Sequence, residues 1–231
     1  MMSTDYYSRL EQQRGPQPST QMLTSIARGL RLTVEERDHL FRLAGHNAPD
    51  RVSRSDHVSP GLMRVLDRLQ DTAAQVMGPV GEALVQTPLA ATLLGDNTGR
   101  SGLDRYTVHR WFTDPSSRDP YVEDDWPMHG RVFVSELREA YGKDDPRAQA
   151  VVRSLLERSA EFTTIWGEHE IGVRRPKEKR IQHPEVGVML LQCQLLHDLD
   201  EGQSLLVLTA TPGTESYEKL QLLSVLGRQR L

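Results

Sequence analysis

One cysteine, Cys193, two asparagines and four lysines are all that the 231 residues contain of these types. A lone cysteine forms no internal disulfide and supplies no multi-cysteine zinc site, so a reducing cytoplasm is the expected compartment. Long apolar runs are also missing. The longest aliphatic stretches are Val188–Leu191 and Leu205–Leu208, whereas a membrane-spanning helix requires about 20 apolar residues. Met1-Met2-Ser3-Thr4-Asp5 has neither the basic flank nor the apolar core of a secretory signal. A Gly-rich phosphate loop, a dinucleotide fingerprint, His-Glu-x-x-His and Gly-x-Ser-x-Gly are all absent. Those absences argue against nucleotide, zinc-protease and serine-hydrolase chemistry.

What remains is ordinary globular composition: 37% hydrophobic, 26% charged, net charge −4. The length suits one large domain or a main domain with a small module. Arginine makes up 24 of the 28 basic residues and is scattered over the whole chain, a compositional bias and not a patch. Residues 1–58 carry a net charge of +1 and residues 59–231 a net of −5. An acidic chain is a poor general polyanion binder, so any nucleic-acid contact must be local.

Three short helices are expected first. Thr4–Gln13 stops at Arg14-Gly15-Pro16. A second opens at Ser19 as N-cap, with Leu23, Ile26, Ala27 and Leu30 apolar. A third starts at the Thr33-Val34-Glu35-Glu36 capping box, with Leu40, Phe41, Leu43 and Ala44 on its apolar face. The organisation expected is an all-α module over 1–46, a polar linker over 47–59, and a larger domain over 60–231.

In that larger domain, Leu62–Met77 carries an amphipathic stripe through Leu62, Val65, Leu66, Leu69, Ala73, Val76 and Met77 that predicts one helix. A strand at Val80–Gln86 follows, then helices at Pro88–Leu94, Tyr106–Thr113, Glu136–Tyr141, Pro146–Arg158 and Ala160–Gly167. Val186–His197 alternates, with Met189, Leu191, Cys193 and Leu195 on one face, and Gln203–Thr209 is apolar on both faces. These patterns predict a half-buried and a central strand. A last helix carries Leu220, Leu223, Val225 and Leu226. Helices, adjacent strands and a closing helix predict an α+β fold with an antiparallel sheet.

Few residues invite catalysis. Cys193 and His197 share a strand face about 13 Å apart, too far for a thiolate–imidazole pair. Glu168-His169-Glu170 are successive residues and do not converge on a metal, and His183-Pro184 reads as a turn-shaping pair. Arg174–Arg180 holds five cations in seven residues, expected as a solvated hairpin tip, with a nucleic-acid or partner contact as the alternative. The aromatics Trp111, Phe112, Phe133, Phe162 and Trp166 gather in the helical half. They form either plain core or an aromatic-lined small-molecule pocket.

Asp5-Tyr6-Tyr7-Ser8-Arg9-Leu10-Glu11-Gln12, with Arg14-Gly15 and Pro18-Ser19, resembles the second half of an Xre-type helix-turn-helix domain. Arg110-Trp111-Phe112-Thr113-Asp114-Pro115-x-x-Arg118, Leu137-Arg138, Ser159-x-Glu161-Phe162-x-x-Ile165-Trp166-x-x-His169, Lys179-x-x-x-His183-Pro184-x-Val186-Gly187 and Thr209-Ala210-x-Pro212-Gly213 resemble the ligand-binding domain of MmyB-like transcription regulators. The resemblance implies a non-enzymatic bacterial regulator, with a DNA-reading module before a PAS-like sensor for a lipid-like, fatty-acid-like ligand. It implies DNA contacts from Thr4, Asp5, Ser8 and Arg9. The ligand site then expected is lined by Arg110, Trp111, Phe112, Phe133, Phe162, Trp166, His183, Leu191 and Cys193. No metal, cofactor or membrane is expected, and the partners are an operator, the small ligand and a second copy of the chain. Two departures stand out: Thr87 replaces a usual Asn, and the chain starts inside the DNA-binding domain, so weak specific DNA binding is expected. A DNA-binding-deficient sensor that dimerises with a full-length relative is the alternative.

Overall fold

Residues 17–30, 32, 34–46, 57–198 and 202–229 are described by the computed structural model. The chain divides into two compact units, Met1–Arg51 and Val52–Leu231. In the first, α1 (Thr20–Gly29) and α2 (Val34–Leu43) pack together. The Ser19 hydroxyl accepts from Met22 N at 3.4 Å, satisfying one of the orphan amides at the start of α1. Leu23, Ile26, Ala27 and Phe41 are buried between the helices, while Leu43, expected on the apolar face of α2, is exposed. The helix expected over Thr4–Gln13, its DNA-facing Thr4, Asp5, Ser8 and Arg9, and Thr33 of the capping box lie outside the described residues.

The second unit has the expected α+β class. Its five-stranded sheet runs β2-β1-β5-β4-β3, all antiparallel, with β1 (Ala73–Met77), β2 (Ala83–Gln86), β3 (Glu178–His183), β4 (Gly187–His197) and β5 (Ser204–Thr209). The single helix expected over Leu62–Met77 is corrected. Helix α3 covers only Pro60–Leu66, and β1 follows after a turn. All five residues of β1 are buried, and a short apolar run buried on both faces has no period that tells strand from helix. Strand β2 starts at Ala83 rather than Val80, because Val80 and Gly81 lie in the turn that Gly81 N closes onto Gly78 O.

Proline and capping residues set the helices that follow. Helix α4 (Pro88–Leu94) begins after Thr87, whose hydroxyl accepts from Ala90 N and also bonds Thr72 and Ala74 of the sheet. The Asn-to-Thr departure therefore retains a capping side chain. Helix α5 spans Thr107–Thr113, and α6 spans Trp126–Gly142, far longer than the expected Glu136–Tyr141. Helices α7 (Pro146–Arg158) and α8 (Ala160–Gly167) are capped by Asp145 and Ser159. The chain's last helix, α9 (Glu215–Gln229), buries Leu220 and Leu223 but exposes Val225.

Three apolar clusters result. One face of the sheet packs Ile181, Met189, Leu191 and Leu208 against α4 and α9. The other face packs Ala74, Val76 and Leu205 under Leu66 of α3. Helices α5 to α8 form a cluster of their own around Trp111, Phe133, Leu155 and Phe162. Tyr121 packs against both the helical cluster and the α4/α9 face of the sheet, which makes it the seam between them. No helix among the described residues is long and apolar enough to cross a membrane.

Candidate functional site

Hairpin register decides which side chains face the seam. Ile181 pairs with Met189 and Lys179 with Leu191, so Lys179 shares the buried strand face with Ile181, Met189 and Leu191. Its side chain is buried, at 5% exposure. Two residues further along β4, Cys193 is half-buried on the same face. The basic run is therefore not a hairpin tip: Arg174 and Lys177 are exposed, but Arg175 pairs with Glu136 of α6, Arg180 with Asp125, and Lys179 points inward. The turn falls between His183 and Gly187 instead.

Against this strand stands an aromatic group from the helical side. An isolated bridge pairs Tyr121 with Ile181, and Gln182 N donates to Pro120 O at 2.9 Å. The Tyr121 ring lies 4.7 Å from His129 and 5.3 Å from Trp111, and Trp111 meets Phe133 at 5.2 Å and His129 at 5.9 Å. Helix α6 passes Trp111 at a glycine: a Cβ on Gly130 would sit 3.4 Å from Trp111 Nε1. Arg118 lies 4.9 Å from the Trp111 ring centre and donates through Nε to Trp111 O, a cation–π contact with a hydrogen bond behind it.

The polar atoms at this seam are mostly donors. Among the described residues Trp111 Nε1 and His129 Nε2 are buried and unpartnered, and the Lys179 side chain, buried within reach of the Arg175 and Cys193 side chains, makes no hydrogen bond or ion pair. Burial, reinforced by the nearby Arg175 cation, pushes the Lys179 pKa down to about 8. Burial first, and then the charge of Lys179, lower His129 to about 4, which keeps the imidazole neutral at physiological pH. Burial raises the Tyr121 phenol as well. Arg175 brings no spare charge, because both of its nitrogens in this contact face the Glu136 carboxylate.

A second buried polar group in the same unit is balanced. Glu82, almost fully buried, accepts from Val80 N at 3.0 Å and from Arg147 Nη1 at 3.4 Å. Arg147 also donates to Asp145 at 2.7 Å through Nη2 and at 3.1 Å through Nε. Burial raises Glu82 above the usual carboxylate range; at Asp145 burial pushes the same way, but the Arg147 hydrogen bonds outweigh it and the pKa falls. Gly78 admits the Glu82 side chain, since a Cβ there would lie 2.4 Å from Glu82 Oε1. An open cleft of about 350 Å³ runs beside this network between Leu103, Tyr106, Pro146 and Arg147. It holds none of the ligand residues expected from sequence.

Those expected residues are not all brought together. Trp111, Phe112, Phe133 and Phe162 lie in the helical cluster and Leu191 in the sheet cluster. Cys193 packs against the latter. Trp166 is half-buried, stacked on Phe162 at 5.4 Å, with the Arg138 guanidinium 4.0 Å from its ring centre. Arg110 is buried, but its guanidinium donates to Asp104 O and, at 2.8 Å, to Asn97 Oδ1. It thus fastens the 95–105 loop; burial, and then Arg100, lower its pKa to about 10. His183 sits at the hairpin turn, where Glu185 N donates to its Nδ1. Of the Glu168-His169-Glu170 carboxylates, Glu170 is held by both Arg131 nitrogens. The seam adds Tyr121, His129, Arg175 and Lys179, which sequence reasoning missed. Strand parity carried back from Met189 and Leu191 across the turn would have placed Lys179 inward.

No curated protein matches the chain. The family model of the MmyB-like transcription regulator ligand binding domain matches residues 58–223, more than two thirds of the chain and nearly all of the second unit. Sheet, helical cluster and seam all lie within that match, and the chain belongs to the family of MmyB-like transcription regulator ligand-binding domains.

Proposed function

We propose that the protein is a cytoplasmic, ligand-responsive transcription regulator whose PAS-like second domain, 60–231, senses a small, largely apolar molecule at the seam around Trp111, Tyr121 and Lys179. One observation carries the placement: the buried, unpartnered Trp111 Nε1 and His129 Nε2 belong to the ring cluster that Tyr121 joins to the sheet, the mixture of apolar walls and a few polar groups that small-molecule sites have. The ligand's body packs against Trp111 and Phe133, which requires the ring contacts to part. A sensor of this kind reports only if the ligand prefers one arrangement, by about 1–3 kcal/mol in typical allosteric coupling.

The N-terminal residues 1–46 are the proposed DNA-reading module, with Thr4, Asp5, Ser8 and Arg9 at base edges, and 47–59 the linker. Two copies of the chain would match a two-fold operator. Native mass spectrometry of the purified protein tests the sensor reading. The expected result is a bound small molecule, lost on denaturation. Protein that carries nothing, and still takes up nothing after exposure to an extract of total host lipids, contradicts it.

A further inference from the structure

Away from the seam, a serine and a carboxylate meet one imidazole from opposite sides. His109 of α5 is buried. Its Nδ1 lies 3.1 Å from Asp104 Oδ1 and its Nε2 lies 3.2 Å from Ser154 Oγ. Thr113 Oγ1 stands 3.4 Å from the same Nδ1, but that hydroxyl donates its hydrogen to His109 O at 2.8 Å. A carboxylate only accepts, so the network assigns the proton to Nδ1 and leaves the Nε2 lone pair to the Ser154 hydroxyl. Burial, helped by the charges of Arg158 and Arg110, lowers the His109 pKa below the usual 6.5 against the opposing pull of Asp104. The imidazole is neutral at physiological pH and can take a proton from the serine.

A hydroxyl donating to a base, with the base oriented by a carboxylate, is the arrangement that activates serine, and both contacts fall within the reach of about 2.6–3.2 Å that proton transfer needs. It is recognised by geometry and roles and needs no Gly-x-Ser-x-Gly elbow. Ser154 is half-buried on α7 and the Asp104 carboxylate is 67% exposed, so the relay reaches solvent at both ends. Arg147, Ala150, Ser154 and Arg158 follow at three- and four-residue spacing and form one stripe along α7. The open cleft of about 350 Å³ takes one wall from that stripe, at Arg147 and Ala150, and the other from Leu103 and Tyr106. Leu103 adjoins Asp104 in the single turn Gly102–Arg105, which makes cleft and relay contiguous. One turn beyond Ser154, Arg158 is exposed and near enough for its charge to act on His109.

We infer that Ser154 is a nucleophile and the cleft an ester site: Ser154 Oγ attacks the carbonyl carbon of a carboxylic ester whose apolar part lies along Leu103, Tyr106 and Ala150. The Oγ–carbon bond forms as the hydroxyl proton passes to His109 Nε2, and Arg158 supplies positive charge to the oxyanion. Collapse of the adduct breaks the bond to the leaving alcohol, whose oxygen takes that proton from Nε2. Water then repeats both transfers, releasing the acid and restoring Ser154. Ser154 and His109 are the catalytic residues, and Asp104 is a positioning residue that holds the tautomer. None of these steps depends on the sensor reading of the seam.

Hydrolysis of p-nitrophenyl butyrate by the full chain tests the assignment. Ser154→Ala is expected to lower kcat/KM at least about a hundredfold, with the folded helix content kept because the side chain lies at the surface. The wild-type rate should rise to a plateau through a midpoint below 6.5, the neutral imidazole being the active form. Asp104→Asn should lower the plateau at least about tenfold and move the midpoint further down, because the carboxylate that raises the His109 pKa is gone. Ala150→Trp, which fills the cleft, should raise KM at least about tenfold. Hydrolysis no faster than in buffer, a rate that survives Ser154→Ala, or a midpoint that Asp104→Asn leaves in place overturns the relay. A KM indifferent to Ala150→Trp overturns the cleft as the ester's seat.

Discussion

Glu82 and Lys179 are both charged side chains buried in the same folding unit, and their surroundings differ in kind. Glu82 has a backbone amide, an arginine and a glycine that makes room for it. Lys179 has apolar strand neighbours, a like-charged arginine and the Cys193 thiol within reach, and among the described residues it makes no hydrogen bond or ion pair. The first group is closed within the chain: it ties the turn before β2 to the start of α7. The second is open. Where a fold completes every hydrogen bond of a buried charge the charge serves structure, and where it leaves donors unmatched it points to a group from outside.

Breaking the balanced group should have the largest effect. Arg147→Ala removes the cation that donates to both the Glu82 and the Asp145 carboxylates. It should cost about 3 kcal/mol, the low end for a broken buried pair because Arg147 is partly solvent-exposed. Urea denaturation at neutral pH measures it, and a loss under about 1 kcal/mol would erase the contrast with Lys179.

Lys179→Met should act in the opposite direction. It removes an unpaired buried charge and is expected to stabilise the ligand-free protein by about 2 kcal/mol at neutral pH. The pH dependence follows from the depressed pKa, from the usual 10.5 to about 8 in the fold. Between those values the unfolded chain binds the proton and the folded chain does not, so wild-type stability rises with pH across that window. Below it both states are protonated and the full penalty stands. The wild-type-minus-variant difference in unfolding free energy should therefore shrink from pH 8 to pH 10.5; a flat difference contradicts an unpaired ammonium.

His129 provides a smaller, acid-side counterpart. Its pKa falls from 6.5 to about 4, burial first and Lys179 second. Stability is lost as pH drops through that window, because the unfolded imidazole takes up a proton that the folded one refuses. His129→Phe keeps a ring beside Tyr121 and Trp111 and should remove about 2 kcal/mol of that acid sensitivity, as read from thermal unfolding at a series of acid pH values.

The smallest expected effect compares two indoles. Trp126 Nε1 donates to Tyr121 O at 3.0 Å, whereas Trp111 Nε1 has no acceptor among the described residues. Trp126→Phe should cost about 1–2 kcal/mol by stranding that carbonyl, in addition to any packing loss. Trp111→Phe loses packing volume but no hydrogen bond. The stability difference attributable to the N–H, isolated by the matched tryptophan-to-phenylalanine pair, should appear at Trp126 alone.

Legibility in the sequence followed the same division. Pro88–Leu94, Pro146–Arg158 and Ala160–Gly167 matched the structure to the residue because proline and the capping side chains Thr87, Asp145 and Ser159 mark helix starts locally. Strand β1, flanked by β2 and β5, reads as helix in the sequence because burial on both faces leaves no alternation. Trp111, Phe133 and Phe162 were legible as a group, since large aromatics gather wherever they are buried. Tyr121, His129 and Lys179 were not, because their meeting is set by a register and a bridge between segments distant in sequence. Five cations in seven residues resemble a solvated face until strand parity turns one of them inward.

The central claim is that a ligand's acceptor comes to the seam between helices and sheet. Its most direct test is the indole region of an ¹⁵N–¹H correlation spectrum, where Trp111, Trp126 and Trp166 give three side-chain signals. On titration with octanoate, the Trp111 Nε1–H signal should move downfield as it gains an acceptor, with Trp126, already bonded to Tyr121 O, moving much less. Octanoate that binds while the Trp111 signal stays in place would put the ligand elsewhere and contradict the account.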